Sequence, residues 1–129
     1  MKHIFSFAAA LALSACATTS DTMPIIDPPI RLDGLASFGQ PTRVGAVVVT
    51  PLVLVEDSRC PINARCVWAG RLVLKTLIDG AGWRETVDLT LGQPVATHGA
   101  GLALVSAEPG KIAGAAPAPP ASLFGFEAR

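Results

Sequence analysis

The residues in this 129-residue chain able to act as thiol nucleophiles, redox partners or soft metal ligands are Cys16, Cys60, Cys66, His3 and His98. Two of the cysteines fall in DSRCPINARCVWAG, residues 57–70, together with Arg59, Arg65 and Trp68. Four chemistries fit such a pair. Rapid thiol exchange favours two intervening residues at a helix start, where the thiolate is stabilised, and here five intervene. Zinc asks for four ligands, or three and a water, whereas His98 and scattered carboxylates are all that could join Cys60 and Cys66. A Cys66/His98 nucleophile pair would require Cys66 to be unbridged. A disulfide requires Cα atoms about 4.4–6.8 Å apart, which a turn centred on Pro61 to Asn63 supplies. G-x-S-x-G and phosphate-cradling glycine motifs are absent, and no close pair of carboxylates stands out. The sequence therefore assigns no catalytic residue, no metal site and no cofactor.

The compartment decides between these chemistries, and the first residues address it. Met1-Lys2-His3 is a short basic start, and IFSFAAALAL (Ile4 to Leu13) is an apolar run of ten. A membrane-spanning helix needs about 20 apolar residues, so length and flanks match a secretory signal peptide instead. The run ends in Leu13-Ser14-Ala15-Cys16, which resembles the lipobox of bacterial lipoproteins. That resemblance implies cleavage before Cys16, a diacylglyceryl thioether and an N-acyl chain on it, and a membrane partner through the lipid. Two or more acyl chains anchor stably where one is marginal. Ala17 stands where an Asp often retains such proteins in the inner membrane, so the resemblance points to the outer membrane, facing the periplasm. The plainer alternative is an ordinary signal peptide whose cleavage site happens to contain Cys16. If Cys16 is lipidated, Cys60 and Cys66 remain as an even pair in an oxidising compartment, and a bridge between them is the expectation.

Ten basic and ten acidic residues balance. No basic stripe or run of like charge points to nucleic acid. Half the residues are apolar, but many are alanine and valine and there is no tyrosine, so a small aliphatic core is expected.

The elements that must hold the cysteine loop read as strands. Residues 1–15 form the signal peptide. Residues 16–29 comprise Cys16 and a flexible tether, ATTSDTMPIIDPP, which at about 3.3 Å per residue reaches roughly 43 Å. Residues 30–129 form a single domain. Arg31 to Phe38 is a weak first strand. Valine-dense RVGAVVVTPLVLVED (Arg43 to Asp57) reads as two short strands parted by a bulge, edge or bend at Thr50-Pro51. Val67 to Ile78 is expected as a further strand, with Leu72, Leu74 and Ile78 facing one way. Asp79-Gly80-Ala81-Gly82 turns the chain into WRETVDLTL, with Trp83, Val87, Leu89 and Leu91 on one face. Gly101 to Ala107 and Leu123 to Ala128 complete the set, the latter placing Phe124 and Phe126 together. Pro109 to Ser122 is a loop of polyproline character. Short strands separated by turns predict an all-β fold, a small antiparallel sandwich or barrel with one disulfide-closed loop.

Within the loop, Asp57 and Ser58 are expected to accept backbone amides, Arg59 to pair with Asp57 or Glu56 at the surface, and Gly70 to allow close approach. Trp68, two residues past Cys66 on one strand face, is expected to pack on the bridge. The DSRCP…CVWAG pattern, extended through VTPLVLVEDSRCP, resembles a motif of uncharacterised exported bacterial proteins, many of them lipoproteins. That resemblance implies no activity, ligand or partner. The favoured expectation is a non-catalytic structural or binding domain of the cell envelope. A second is an inhibitor-like binder of an envelope enzyme through the Cys60–Cys66 loop, with Arg59, Pro61, Ile62, Asn63, Ala64, Arg65 and Trp68 as the possible binding loop and an envelope protein as partner. A thiol or metal enzyme using Cys60, Cys66 and His98 is the third.

Overall fold

A computed structural model describes residues 27–114 and 119–129. The expected signal peptide, Cys16 and residues 17–26 of the expected tether lie outside the described residues, as do positions 115–118 of the proline-rich loop. The rest is all-β, without a helix among the described residues. Its strands are β1 (Leu35–Ser37), β2 (Thr42–Val44), β3 (Val47–Asp57), β4 (Leu72–Gly80), β5 (Trp83–Thr90), β6 (Val95–Thr97), β7 (Ala100–Glu108) and β8 (Leu123–Ala128). They form two four-stranded antiparallel sheets, ordered β2-β3-β4-β5 and β1-β8-β7-β6.

Period-2 alternation selects the inner faces. Val49, Leu74, Ile78 and Leu89 of one sheet are fully buried with Leu102, Leu104 and Phe124 of the other. Phe38 closes the side of this core, edge-on to Phe124 with ring centroids 5.1 Å apart. The expected hairpin forms as read. Gly80 pairs with Trp83 across the Ala81-Gly82 turn, and the ladder continues to Val73 opposite Thr90.

Three expected strands are corrected. Of Arg31 to Phe38, only Leu35–Ser37 pairs as a strand, while Arg31 makes a single parallel bridge to Thr42. Arg43 to Asp57 divides at Gly45-Ala46 rather than at proline, because Gly45 supplies the φ of +59° that a two-residue turn needs at its first position. Pro51 sits buried inside the continuous β3, opposite Thr76, and its carbonyl accepts the Gly39 N–H at 2.8 Å. The register slips between Pro51 and Val53 and again between Leu54 and Glu56, a bulge beside the proline being one of the outcomes expected there. Finally, β4 begins at Leu72, so residues 67–71 belong to a loop.

The strand ends define two poles. The turns Gly45-Ala46, Ala81-Gly82 and His98-Gly99 meet at one. At the other lie the two long connections, from β3 to β4 and from β7 to β8, hydrogen-bonded to each other.

Candidate functional site

The β3–β4 connection is built outward from a paired stem. Ser58 N–H donates to Arg71 O at 2.8 Å, Arg71 N–H to Ser58 Oγ at 3.0 Å, and Cys60 N–H to Ala69 O at 3.2 Å. Gly70 lies so close to this stem that a Cβ there would fall 1.8 Å from Ser58 O, and its φ is +68°. Only glycine fits both demands. Beyond the stem, Cys60 and Cys66 are disulfide-bonded with Cα atoms 5.9 Å apart. They close a turn in which Ala64 N–H donates to Pro61 O at 3.1 Å.

Arg59 fastens this loop to the sandwich. Its Nε and Nη2 donate to the two carboxylate oxygens of Asp57 at 2.8 and 2.9 Å. Nη1 reaches Ala107 O at 2.9 Å and Nη2 reaches Pro109 O at 3.2 Å, on the far sheet and the loop that follows it. Lys111 Nζ adds a second cation 3.5 Å from Asp57 Oδ1. Burial alone would raise the Asp57 pKa, but the Arg59 hydrogen bonds and charge, with Lys111 behind them, bring it below the ordinary carboxylate value. Arg59 is held more firmly protonated by the same hydrogen bonds. The side chains of Arg59 and Asp57 are only 15% and 11% exposed. The expectation of a surface contact of little energy is therefore corrected: Arg59 is a half-buried clamp. Glu56 pairs with Arg71 instead, at 2.6 Å.

The tip docks on the β7–β8 connection. Ile62 N–H donates to Lys111 O at 2.9 Å, and the Asn63 amide bonds the backbone of Ala113 in both directions, at 3.1 and 2.7 Å. Of the seven residues expected to bind, Arg59 and Asn63 are thus committed to holding the loop. Pro61 is half-buried in its turn, while Ile62, Ala64, Arg65 and Trp68 are exposed. Trp68 does not pack on the bridge. It is 83% exposed beside Val67 at 92%, since no strand forms there to carry the ring inward. Ile62 and Ile112, from the two connected loops, are 78% and 51% exposed. Sequence reasoning missed Val67 and Ile112, whose exposure depends on where β4 starts and on the long loop opposite.

His98 sits at the other pole, in a two-residue turn with φ of +48°. The nine residues of β4 separate it from the cysteine loop, roughly 30 Å of strand, so Cys66 and His98 are not brought together. Its imidazole stacks on Trp83 at a centroid distance of 4.2 Å, with Nε2 3.4 Å from a Glu85 oxygen that also accepts the Thr97 hydroxyl. An open groove of about 550 Å³ runs past these rings, along Ala46, Val47, Gly80 and Ala100. Trp83 also lies on Gly80, where any Cβ would come within 2.1 Å of the indole. With glycine and imidazole both against it, the ring covers the end of the core rather than offering a free stacking face. Among the described residues, no three His, Cys, Asp or Glu side chains converge where they could hold a metal.

The chain matches no protein-family model, no curated protein and no solved structure.

Proposed function

We propose that this protein is a lipid-anchored component of the bacterial cell envelope, tethered through Cys16 to the periplasmic face of the outer membrane, whose β-sandwich serves as a non-catalytic binding domain. The observation that carries the binding role is the pairing of rigidity with apolar exposure. Val67 and Trp68 stand 92% and 83% exposed on a loop braced by a disulfide and by the Arg59–Asp57 clamp. A loop fixed before association loses little entropy on binding, and tryptophan and arginine are enriched among residues that dominate interface energy. The signal-like N-terminus and Leu13-Ser14-Ala15-Cys16 support the anchor. The exposed turn tip, Ile62 with Arg65 beside the bridge, supports a second reading as an inhibitor-like binder of an envelope enzyme.

Two measurements test the proposal. The intact mass of the membrane-extracted protein, with and without reductant and alkylation, is expected to show acylated Cys16, and two alkylation sites only after reduction. For the loop, a photo-cross-linking residue replacing Trp68 is expected to form adducts in intact cells where the same residue at exposed Arg43 forms none. A chain beginning at Met1 without acyl mass would remove the anchor, and equal labelling at 68 and 43 would remove the binding loop.

A further inference from the structure

Among the described residues, β5 is the long open edge of the sandwich. Of the four edge strands, β1, β2 and β6 have three residues each, whereas β5 has eight, with no proline and no bulge. Shortness, proline and bulges are the usual devices that keep a sheet edge from pairing with another chain. The β4–β5 turn sets which backbone groups are open. Gly80 and Trp83 flank two turn residues and so exchange hydrogen bonds, and positions 85, 87 and 89 do the same along the ladder. Leu91 keeps this parity, its N–H donating to Leu72 O at 2.9 Å. The N–H and C=O groups of Arg84, Thr86 and Asp88 therefore point away from β4, and among the described residues none of them has a partner. Their side chains are exposed on the outer face of the sheet.

We infer that this edge pairs with β5 of a second copy of the chain, antiparallel about a two-fold axis at Thr86, to make one continuous eight-stranded sheet. The axis sets Thr86 opposite the partner's Thr86 and Arg84 opposite the partner's Asp88. All three pairs fall at outward-facing positions, so they gain about six backbone hydrogen bonds, two for each pair. Charges on an edge strand ordinarily repel a second strand, but in this register they attract. Across the join the outer face carries a row of alternating sign: Asp79, Arg84, the partner's Asp88 and the partner's Lys75, since Asp79 faces Arg84 and Lys75 faces Asp88 in each β4–β5 ladder. Arg84 donates to Asp79 from Nε, which leaves its two terminal nitrogens for a second carboxylate. The two-fold repeats the row on the other side of Thr86. Sliding one strand by four residues would set Arg84 against Arg84 or Asp88 against Asp88, and a slide of two removes both charge pairs. On the inner side Glu85 meets the partner's Val87, its carboxylate already held within its own chain by the Thr97 hydroxyl and beside His98. Pairing uses up the long edge on both copies, so the assembly closes as a dimer. The two cysteine loops then lie at opposite ends of it, and the dimer needs neither the lipid anchor nor the binding role proposed for those loops.

Sedimentation equilibrium of the full chain in density-matched detergent is expected to show a monomer–dimer equilibrium. Arg84→Glu sets acid against acid at both charged pairs, and Asp88→Lys sets base against base. Each alone is expected to weaken the dimer about tenfold or more. Mixed in equal amounts, the two variants bring an acid opposite a base at both pairs, and the dimer is expected to return as a heterodimer. Micelles shared by chance would not follow this charge pattern. Thr86→Pro removes the outward N–H at the axis and no bond to β4, so it is expected to abolish the dimer while far-ultraviolet circular dichroism stays unchanged. A chain that remains monomeric up to about 0.5 mM would overturn the inference. So would a dimer that all three variants leave intact, or two folded charge variants that associate no better mixed than alone.

Discussion

Removing the Arg59 guanidinium tests whether the cysteine loop is a clamped part of the sandwich. Arg59→Met keeps the aliphatic stem and deletes two bonds to Asp57 and one each to Ala107 O and Pro109 O. Breaking a buried ion pair costs about 3–5 kcal/mol, and an exposed one about 1 or less. Side-chain exposures of 15% and 11% place this pair nearer the buried limit. Lys111, 3.5 Å from Asp57, leaves the orphaned carboxylate one counter-charge and moderates the loss. The expected loss is therefore about 2–3 kcal/mol, a fall in Tm of roughly 10–20 °C for a domain of this size. Urea unfolding followed by tryptophan emission measures it, with Arg65→Met as the exposed control, expected to stay within about 0.5 kcal/mol of wild type. A double-mutant cycle with Asp57→Asn isolates the pair and is expected to return a coupling of at least about 1 kcal/mol. An Arg59→Met protein as stable as the Arg65→Met control, or a coupling near zero, would refute the clamp.

Gly70→Ala is expected to destabilise by at least about 2 kcal/mol, since a Cβ must enter Ser58 O in a left-handed backbone; chemical denaturation that finds no change would contradict the stem geometry. Replacing Cys60 and Cys66 together with serine frees a seven-residue loop and should lower stability by about 2 kcal/mol while far-ultraviolet circular dichroism stays unchanged. Trp68→Ala is expected within about 0.5 kcal/mol of wild type and Phe124→Ala about 3–5 kcal/mol below it, a contrast that calorimetry reads directly. The carboxyl of Asp57 has its pKa lowered in the folded state, so its contribution is fully present above the ordinary value of about 4 and is lost as pH falls below it. Asp33, lowered to about 2 by the Arg31 hydrogen bond and then by the Leu35 N–H, acts in the same direction. Thermal melts between pH 6 and pH 2 should therefore fall less steeply for Asp57→Asn than for wild type.

The fold class and the best hairpin were legible because alternation is a local property. Trp83, Val87, Leu89 and Leu91 must share a face in any extended chain, and Asp79-Gly80-Ala81-Gly82 can turn without help from elsewhere. The bridge was legible too, since five residues with a proline turn bring two Cα atoms into range on their own. Residues 67–71 misled the reading. Their apolar character continues that of β4, but pairing with the facing segment stops at Cys60 and Ala69, where that segment folds into the bridged turn, so Trp68 emerges into solvent. Arg59 could not be placed from its neighbours either, because two of its acceptors, Ala107 and Pro109, lie 48 and 50 residues further along the chain. Nor could the Trp83–His98 stack, which joins turns from opposite sheets. By itself the sequence determined the all-β class, the β4–β5 hairpin and which cysteines can close a loop, since alternation and short-range spacing settle these. Only the tertiary structure decided which tryptophan is covered and which arginine is a clamp, because burial depends on what a distant strand brings alongside.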